Sequence, residues 1–141
     1  MMKIFLSAII TTSLMTLFSY IVSAFSHSQF REPQLLNELI NRSTALAFKP
    51  GQKNLSGWII HYSIGLLFVV IFRMIWNFTI IEPTYLSGAS LGFIFGFIGI
   101  TGWKIMFSLS PNPPEIKFKS FYLQLIAAHI IFGIGATLPF L

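Results

Sequence analysis

The sequence predicts an all-α protein, a four-helix transmembrane bundle with one interfacial amphipathic helix in its first loop. Four apolar segments, Ile4–Phe25, Trp58–Phe78, Leu86–Phe107 and Phe121–Leu141, fill most of the 141 residues. Each is long enough to cross a hydrocarbon core of roughly 30 Å as a helix. The chain is 55% hydrophobic and 9% charged, against roughly a quarter charged in soluble domains, which leaves too little polar surface to solvate a globule. Lipid offers backbone amides no partners, so spans of this length close their own hydrogen bonds as helices. One integral membrane domain accounts for residues 1–141.

The first segment follows Met1-Met2-Lys3 and ends near Val22-Ser23-Ala24, the outline of a secretory signal. Its apolar run exceeds the roughly 7–15 residues usual for one, so retention as a span is expected. Ala8, Thr12, Thr16, Ser19 and Ser23 recur at three- and four-residue steps, making a small-residue face of the kind that packs on another helix.

The first loop, Ser26–Ser56, contains the amphipathic helix, expected over Pro33–Phe48. Leu35, Leu36, Leu39, Ile40 and Ala47 share one face, with Gln34, Asn37, Glu38 and Asn41 opposite. Pro33 suits a first helical turn, and Lys49-Pro50-Gly51 ends the run. The helix is expected to lie on the membrane interface with its apolar face in the acyl boundary; the sharper reading is a docking site for a partner protein.

Trp58, Tyr62, Trp76, Tyr85, Trp103 and Tyr122 stand near span ends, where amphipathic rings prefer the headgroup region. The third span carries Gly88, Gly92, Gly96 and Gly99, with Gly102 a turn later. Small residues at these intervals open a groove for close helix contact, or line a solute path. The connection that follows, Ser110-Pro111-Asn112-Pro113-Pro114-Glu115, cannot be helical through its middle, because proline removes donors and extends the residue before it.

Charge sets the orientation. Arg31, Arg42, Lys49 and Lys53 lie in the first loop and Lys117 and Lys119 in the third, both on one side, against Lys3 and Glu82 on the other. The basic loops are expected in the cytoplasm of a bacterial inner membrane and both termini outside it. The net charge of +5 is scattered over loops and span ends rather than gathered into a stripe with interleaved aromatics, so no nucleic acid is expected as a partner. Partners are the lipid bilayer and either a second copy or another membrane protein.

The chemistry available is narrow. Without cysteine there is no thiolate nucleophile and no Cys-ligated metal. Aspartate is absent and the four glutamates, Glu32, Glu38, Glu82 and Glu115, fall in loops, so a Ser-His-Asp arrangement lacks its players and no catalytic residue is assigned. Four ionisable residues lie within spans: His61, Arg73, Lys104 and His129. Arg73 and Lys104 are close enough to span ends to snorkel, and Glu82 is an expected partner for Arg73. His61 and His129 enter from the same side at depths differing by roughly 5–10 Å, which opposes a bis-histidine haem or a metal site. No cofactor or metal is expected. The histidines either hydrogen-bond across the bundle or form a polar path with Lys104 and Gln124, through Tyr62 or Ser63, along which a proton could move.

The stretch Gly57-Trp58-Ile59-Ile60-His61-Tyr62-Ser63-Ile64-Gly65, with Ala128-His129-Ile130-Ile131-Phe132-Gly133 in the last span, resembles small bacterial inner-membrane proteins of the YagU-like kind. That resemblance covers about Gly57 to Gly133 and implies a four-helix membrane domain with no established chemistry. It marks His61, Gly65, His129 and Gly133 as positions to test.

Three functions remain open on the sequence. The first is a packing or partner-binding accessory protein, in which Gly65, Gly88, Gly92, Gly96, Gly99 and Gly133 serve helix contact. The second is a small-solute or proton-coupled transporter or channel using His61, His129, Lys104 and Gln124. The third is a haem- or quinone-linked redox subunit.

Overall fold

Runs of Leu, Ile, Phe and Val, broken mostly by Gly, Ser and Thr, set the four long helices, and proline or a capping side chain marks several of their ends. In the computed structural model, which describes residues 1–141, five helices follow in order: α1 Met2–Ser26, α2 Glu32–Arg42, α3 Leu55–Phe78, α4 Tyr85–Leu109 and α5 Phe118–Thr137. A 3-10 turn, Leu138–Phe140, continues α5, and there is no strand. Four helices, α1, α3, α4 and α5 with its 3-10 turn, are long and apolar enough to cross a membrane. The chain is an integral membrane protein with an all-helical bundle.

Local chemistry explains the boundaries. Asn54 caps α3 by accepting the Ser56 amide. Thr84 and Ser87 cap α4 reciprocally, each side chain accepting the other's backbone N–H, which satisfies two donors that the helix itself leaves free. At the end of α1, His27 takes a left-handed conformation with φ of 51° and turns the chain back toward α2.

The small face of α1 is buried as its spacing predicts: Ala8, Thr12, Thr16, Ser19 and Ser23 are all inside. Two hydroxyls on the same helix bond to α5. Ser7 Oγ donates to the Ala136 carbonyl at 3.1 Å, and Thr11 Oγ1 donates to the Phe132 carbonyl. Glycines draw α4 onto α5. A Cβ at Gly88 or Gly133 would strike the other glycine's carbonyl, and one at Gly92 would strike the His129 carbonyl. Gly96 faces the Ile126 backbone, Gly99 lies against the His129 ring, and Gly65 on α3 lies against the Thr12 hydroxyl of α1.

The close helix pairs are α4 with α5, α5 with α1, α1 with α3 and α2 with α3. Although a short turn joins α3 to α4, this pair does not pack backbone to backbone. Its helices are bridged by aromatic rings, Phe68 and Phe72 meeting Phe95 edge-on at 4.9 and 4.8 Å. The α3 and α4 backbones are therefore parted, and these rings span the gap in the half toward the turn.

The amphipathic helix of the first loop is present, with three differences from expectation. It stops at Arg42, and Ala47 and Phe48 lie beyond it, exposed. Its apolar face meets protein: Leu35, Leu36 and Leu39 join Phe30, Trp103, Phe107, Phe121 and Leu125 in one buried cluster that closes the bundle's end. Asn37, placed by its pattern on the polar face, is fully buried. It donates to the carbonyls of Gln52 and Asn54 at 3.0 and 2.7 Å and accepts from Ser56 Oγ and the Gly57 amide, both at 2.8 Å. All four bonding positions of the amide are used, which makes its burial tolerable and ties α2 to the start of α3.

A second cluster, including Met15, Val69, Phe72, Trp76, Phe95 and Phe132, fills the half toward the α3–α4 turn. Arg73 stacks over Phe140, 4.8 Å from its centroid, and does not pair with Glu82; the ion pair in the protein is Arg42–Glu38, at 2.6 Å. Phe140 of the 3-10 turn, whose ring also meets Trp76 of α3 at 5.8 Å, supplies the aromatic face that Arg73 takes.

Candidate functional site

Where the two apolar clusters meet, close packing fails. Small residues on α4, Gly99 and Gly102, and on α3, Gly65, leave a cavity of about 200 Å³. All five helices line it: Thr12 and Met15 from α1, Glu32 and Leu36 from α2, His61, Ile64 and Phe68 from α3, Trp103 and Met106 from α4, and Leu125, His129 and Phe132 from α5. Most of the wall is apolar. Its polar groups are Thr12, Glu32, His61 and His129.

The hydrogen bonds fix what each group offers. His129 Nδ1 donates to the Leu125 carbonyl at 2.8 Å. A carbonyl can only accept, so Nε2 remains an acceptor. Thr16 Oγ1 gives its proton to the Thr12 carbonyl at 2.6 Å, so His61 Nε2, 2.9 Å away, is the donor of that pair and Nδ1 is left as an acceptor. Thr12 Oγ1 is buried with no partner.

Glu32 is the first residue of α2 and is 1% exposed. Its Oε1 accepts from Ser19 Oγ at 2.6 Å and from Gln124 Nε2 at 3.4 Å, and Gln124 also donates to Ser19 Oγ at 2.5 Å. Oε2 is buried with no partner. Burial pushes the carboxyl up to about 7, against the opposing pull of the hydrogen bonds from Ser19, its own backbone and Gln124. The uncompensated cost of a buried charge outweighs those bonds and the favourable helix N-terminus.

These placements change the expected polar path. Gln124 is buried and bonded to Glu32 and Ser19 rather than to a histidine. Lys104 is exposed, stacks over Tyr122 at 5.5 Å and does not line the cavity. Tyr62 bonds Ser13 at 2.7 Å and Ser63 bonds its own helix, so neither links the histidines. His61 and His129 lie six and eleven residues into their helices, at depths of ~9 and ~16 Å, yet both face one cavity.

Sequence reasoning placed Glu32 among the solvated loop residues. The overlooked signal was α1: a face of Thr11, Thr12, Thr16, Ser19 and Ser23 supplies hydroxyls as well as small volume, and such a face within a membrane asks for polar partners. A haem does not fit, since a cavity of this size accommodates little more than a single ring. Nor do His61, His129 and Glu32 converge as a metal-binding group of three.

Comparison with protein-family models, curated proteins and solved structures finds no match. The fold and the site themselves define the class: a helical integral membrane protein with a largely apolar cavity among its helices, into which a few buried polar groups are set.

Proposed function

We propose that the chain is a small proton-linked solute carrier of a bacterial inner membrane, in which the cavity takes a hydrogen-bonding solute and Glu32 exchanges a proton with solute binding. One observation carries the reading. Thr12, Glu32, His61 and His129 reach a single cavity from four helices, and two of them bring a buried oxygen with no partner in the protein. Each such atom costs roughly 1–3 kcal/mol, a cost that a packing module has no use for and that a bound solute or proton offsets. The charged and titratable groups around Glu32 are Tyr20 on α1, the adjacent Arg31, His61 on α3 and His129 on α5. From α4 the cavity receives only Ile98, Gly99, Gly102, Trp103 and Met106.

The accessory reading rested on the glycine ladder, and that ladder meets α5 of the same chain. In the proposed orientation the α2 end faces the cytoplasm, because Arg31, Arg42, Lys49, Lys53, Lys117 and Lys119 gather there against Lys3 and Arg73 toward the other end. Kinship with YagU-like proteins is part of the proposal, supported by the two short motifs around His61 and His129.

Proteoliposomes enclosing a pH-sensitive dye test the proton step. After an imposed pH gradient, native protein should dissipate it faster than Glu32→Gln or His129→Ala at equal folded amounts. Equal rates in all three and in protein-free vesicles refute the reading.

A further inference from the structure

We propose that the solute reaches the cavity sideways from the lipid, between α3 and α4, and that it is an amphiphile: a single ring bearing hydroxyl or carbonyl oxygens, with an aliphatic tail that lies in the opening. The inference rests on reading the cavity as a binding site and names its ligand class.

Both ends of the cavity are shut. Leu35, Leu36 and Leu39 of α2 close one end with Trp103 and Phe121, and the edge-on rings of Phe72, Phe95 and Phe132 close the other. The side is not shut. The α3 and α4 backbones do not pack closely, the helices meeting instead through the rings of Phe68, Phe72 and Phe95, and the cavity wall includes Ile64 and Ile98, which are 40% and 49% exposed on the outer surface. At Gly102, also part of that wall, an added Cβ would meet nothing within 4 Å. A path bordered by isoleucine, phenylalanine and glycine admits hydrocarbon and repels ions.

Size and polarity specify the head. A cavity of roughly 150 Å³ holds a benzene ring; this one, at about 200 Å³, holds a ring with a few substituent atoms. The acceptors left free are His61 Nδ1 and His129 Nε2, and the groups able to donate are the Thr12 hydroxyl and the neutral Glu32 acid, each with an unpartnered oxygen. A ring hydroxyl donates to one of the two imidazole nitrogens, and its oxygen, or a ring carbonyl, accepts from the Thr12 hydroxyl or the Glu32 acid. A purely hydrocarbon ligand leaves all four unmet, and an anionic head would meet the carboxyl with no free cation beside it in the lining.

Full-length protein in phosphatidylcholine nanodiscs provides the test, with Trp103 as the reporter of bromine quenching and Trp103→Phe subtracting the signal of Trp58 and Trp76. The probes are 2-bromo-4-decylphenol, its oxygen-free analogue 1-bromo-4-decylbenzene, and the tailless 2-bromophenol. The tailed phenol should quench Trp103, and the analogue should need about tenfold more, the effect of leaving buried polar groups unpaired. Gly102→Leu, which narrows the opening without touching the polar groups, should weaken the tailed phenol about tenfold by overpacking and leave 2-bromophenol within about twofold. Gly102→Ala should bind both as native protein does, which separates narrowing from misfolding. Equal quenching by the oxygen-free analogue overturns the proposal. So does Gly102→Leu acting on both phenols alike or on neither, and so does absence of quenching. Quenching retained without proton flux removes the carrier reading alone, and flux without quenching removes this ligand class alone.

Discussion

Replacing Glu32 by Gln separates the charge of the buried carboxyl from its shape. The acid titrates at about 7 in the fold against an ordinary 4.5. Between those values the folded protein holds a proton that the unfolded chain has released, so stability falls as pH rises through this window and levels off above about 7. At ~1.4 kcal/mol for each pH unit separating the two values, the ionised form costs the fold about 3 kcal/mol, undiminished by solvent because Glu32 is fully buried. Gln keeps the contacts to Ser19 and Gln124 and has no proton to lose. Glu32→Gln should match native protein near pH 4.5 and exceed it by up to about 3 kcal/mol at pH 8. Denaturation in mixed SDS micelles, followed by far-ultraviolet circular dichroism from pH 4.5 to 8, measures both curves, and His61, His129, Tyr20 and Arg31 are common to the two proteins and cancel in the difference. Infrared difference spectra should also show a carboxylic-acid C=O band at pH 6 that the variant lacks. If the two stability curves run parallel across the window, Glu32 is ionised throughout and the argument from burial fails.

Other substitutions address the frame around the site. Gly133→Leu should destabilise by about 3 kcal/mol or more, at the upper end of overpacking costs, because its Cβ would meet the Gly88 backbone; the SDS midpoint measures it. Asn37→Ala removes the partner of four groups and should cost about 2 kcal/mol, with faster proteolysis between Ser43 and Asn54 as α2 loosens from α3. Lys104→Ala should change stability by less than about 0.5 kcal/mol and leave proton flux unaltered, since its ammonium group lies outside the cavity; reduced flux would return it to the path.

The membrane spans and the small-residue faces were legible in the sequence because they depend on properties of consecutive residues. Apolar length decides whether a segment can cross lipid, and periodicity decides which side of a helix can approach another. Thus the four long helices, the buried face of α1 and the glycines of α4 follow from the chain alone. The local pattern also found the helix after Arg31, and it singled out His61, His129 and Gln124 as unusual within their spans.

Only the tertiary structure decided what surrounds each polar group. Glu32 looks solvated in sequence, preceded by Arg31 and followed by a proline, and becomes buried because α2 folds back against residues 13 and 92 positions away, Ser19 and Gln124. Lys104, equally polar and deeper in its helix, falls on the outer face. His61 and His129 differ in depth by about one and a half helical turns, yet share a cavity because the α3 and α4 backbones stand apart while α4 and α5 close on their glycines. Burial and partnership are sums over contacts between distant segments, and no local pattern contains that sum.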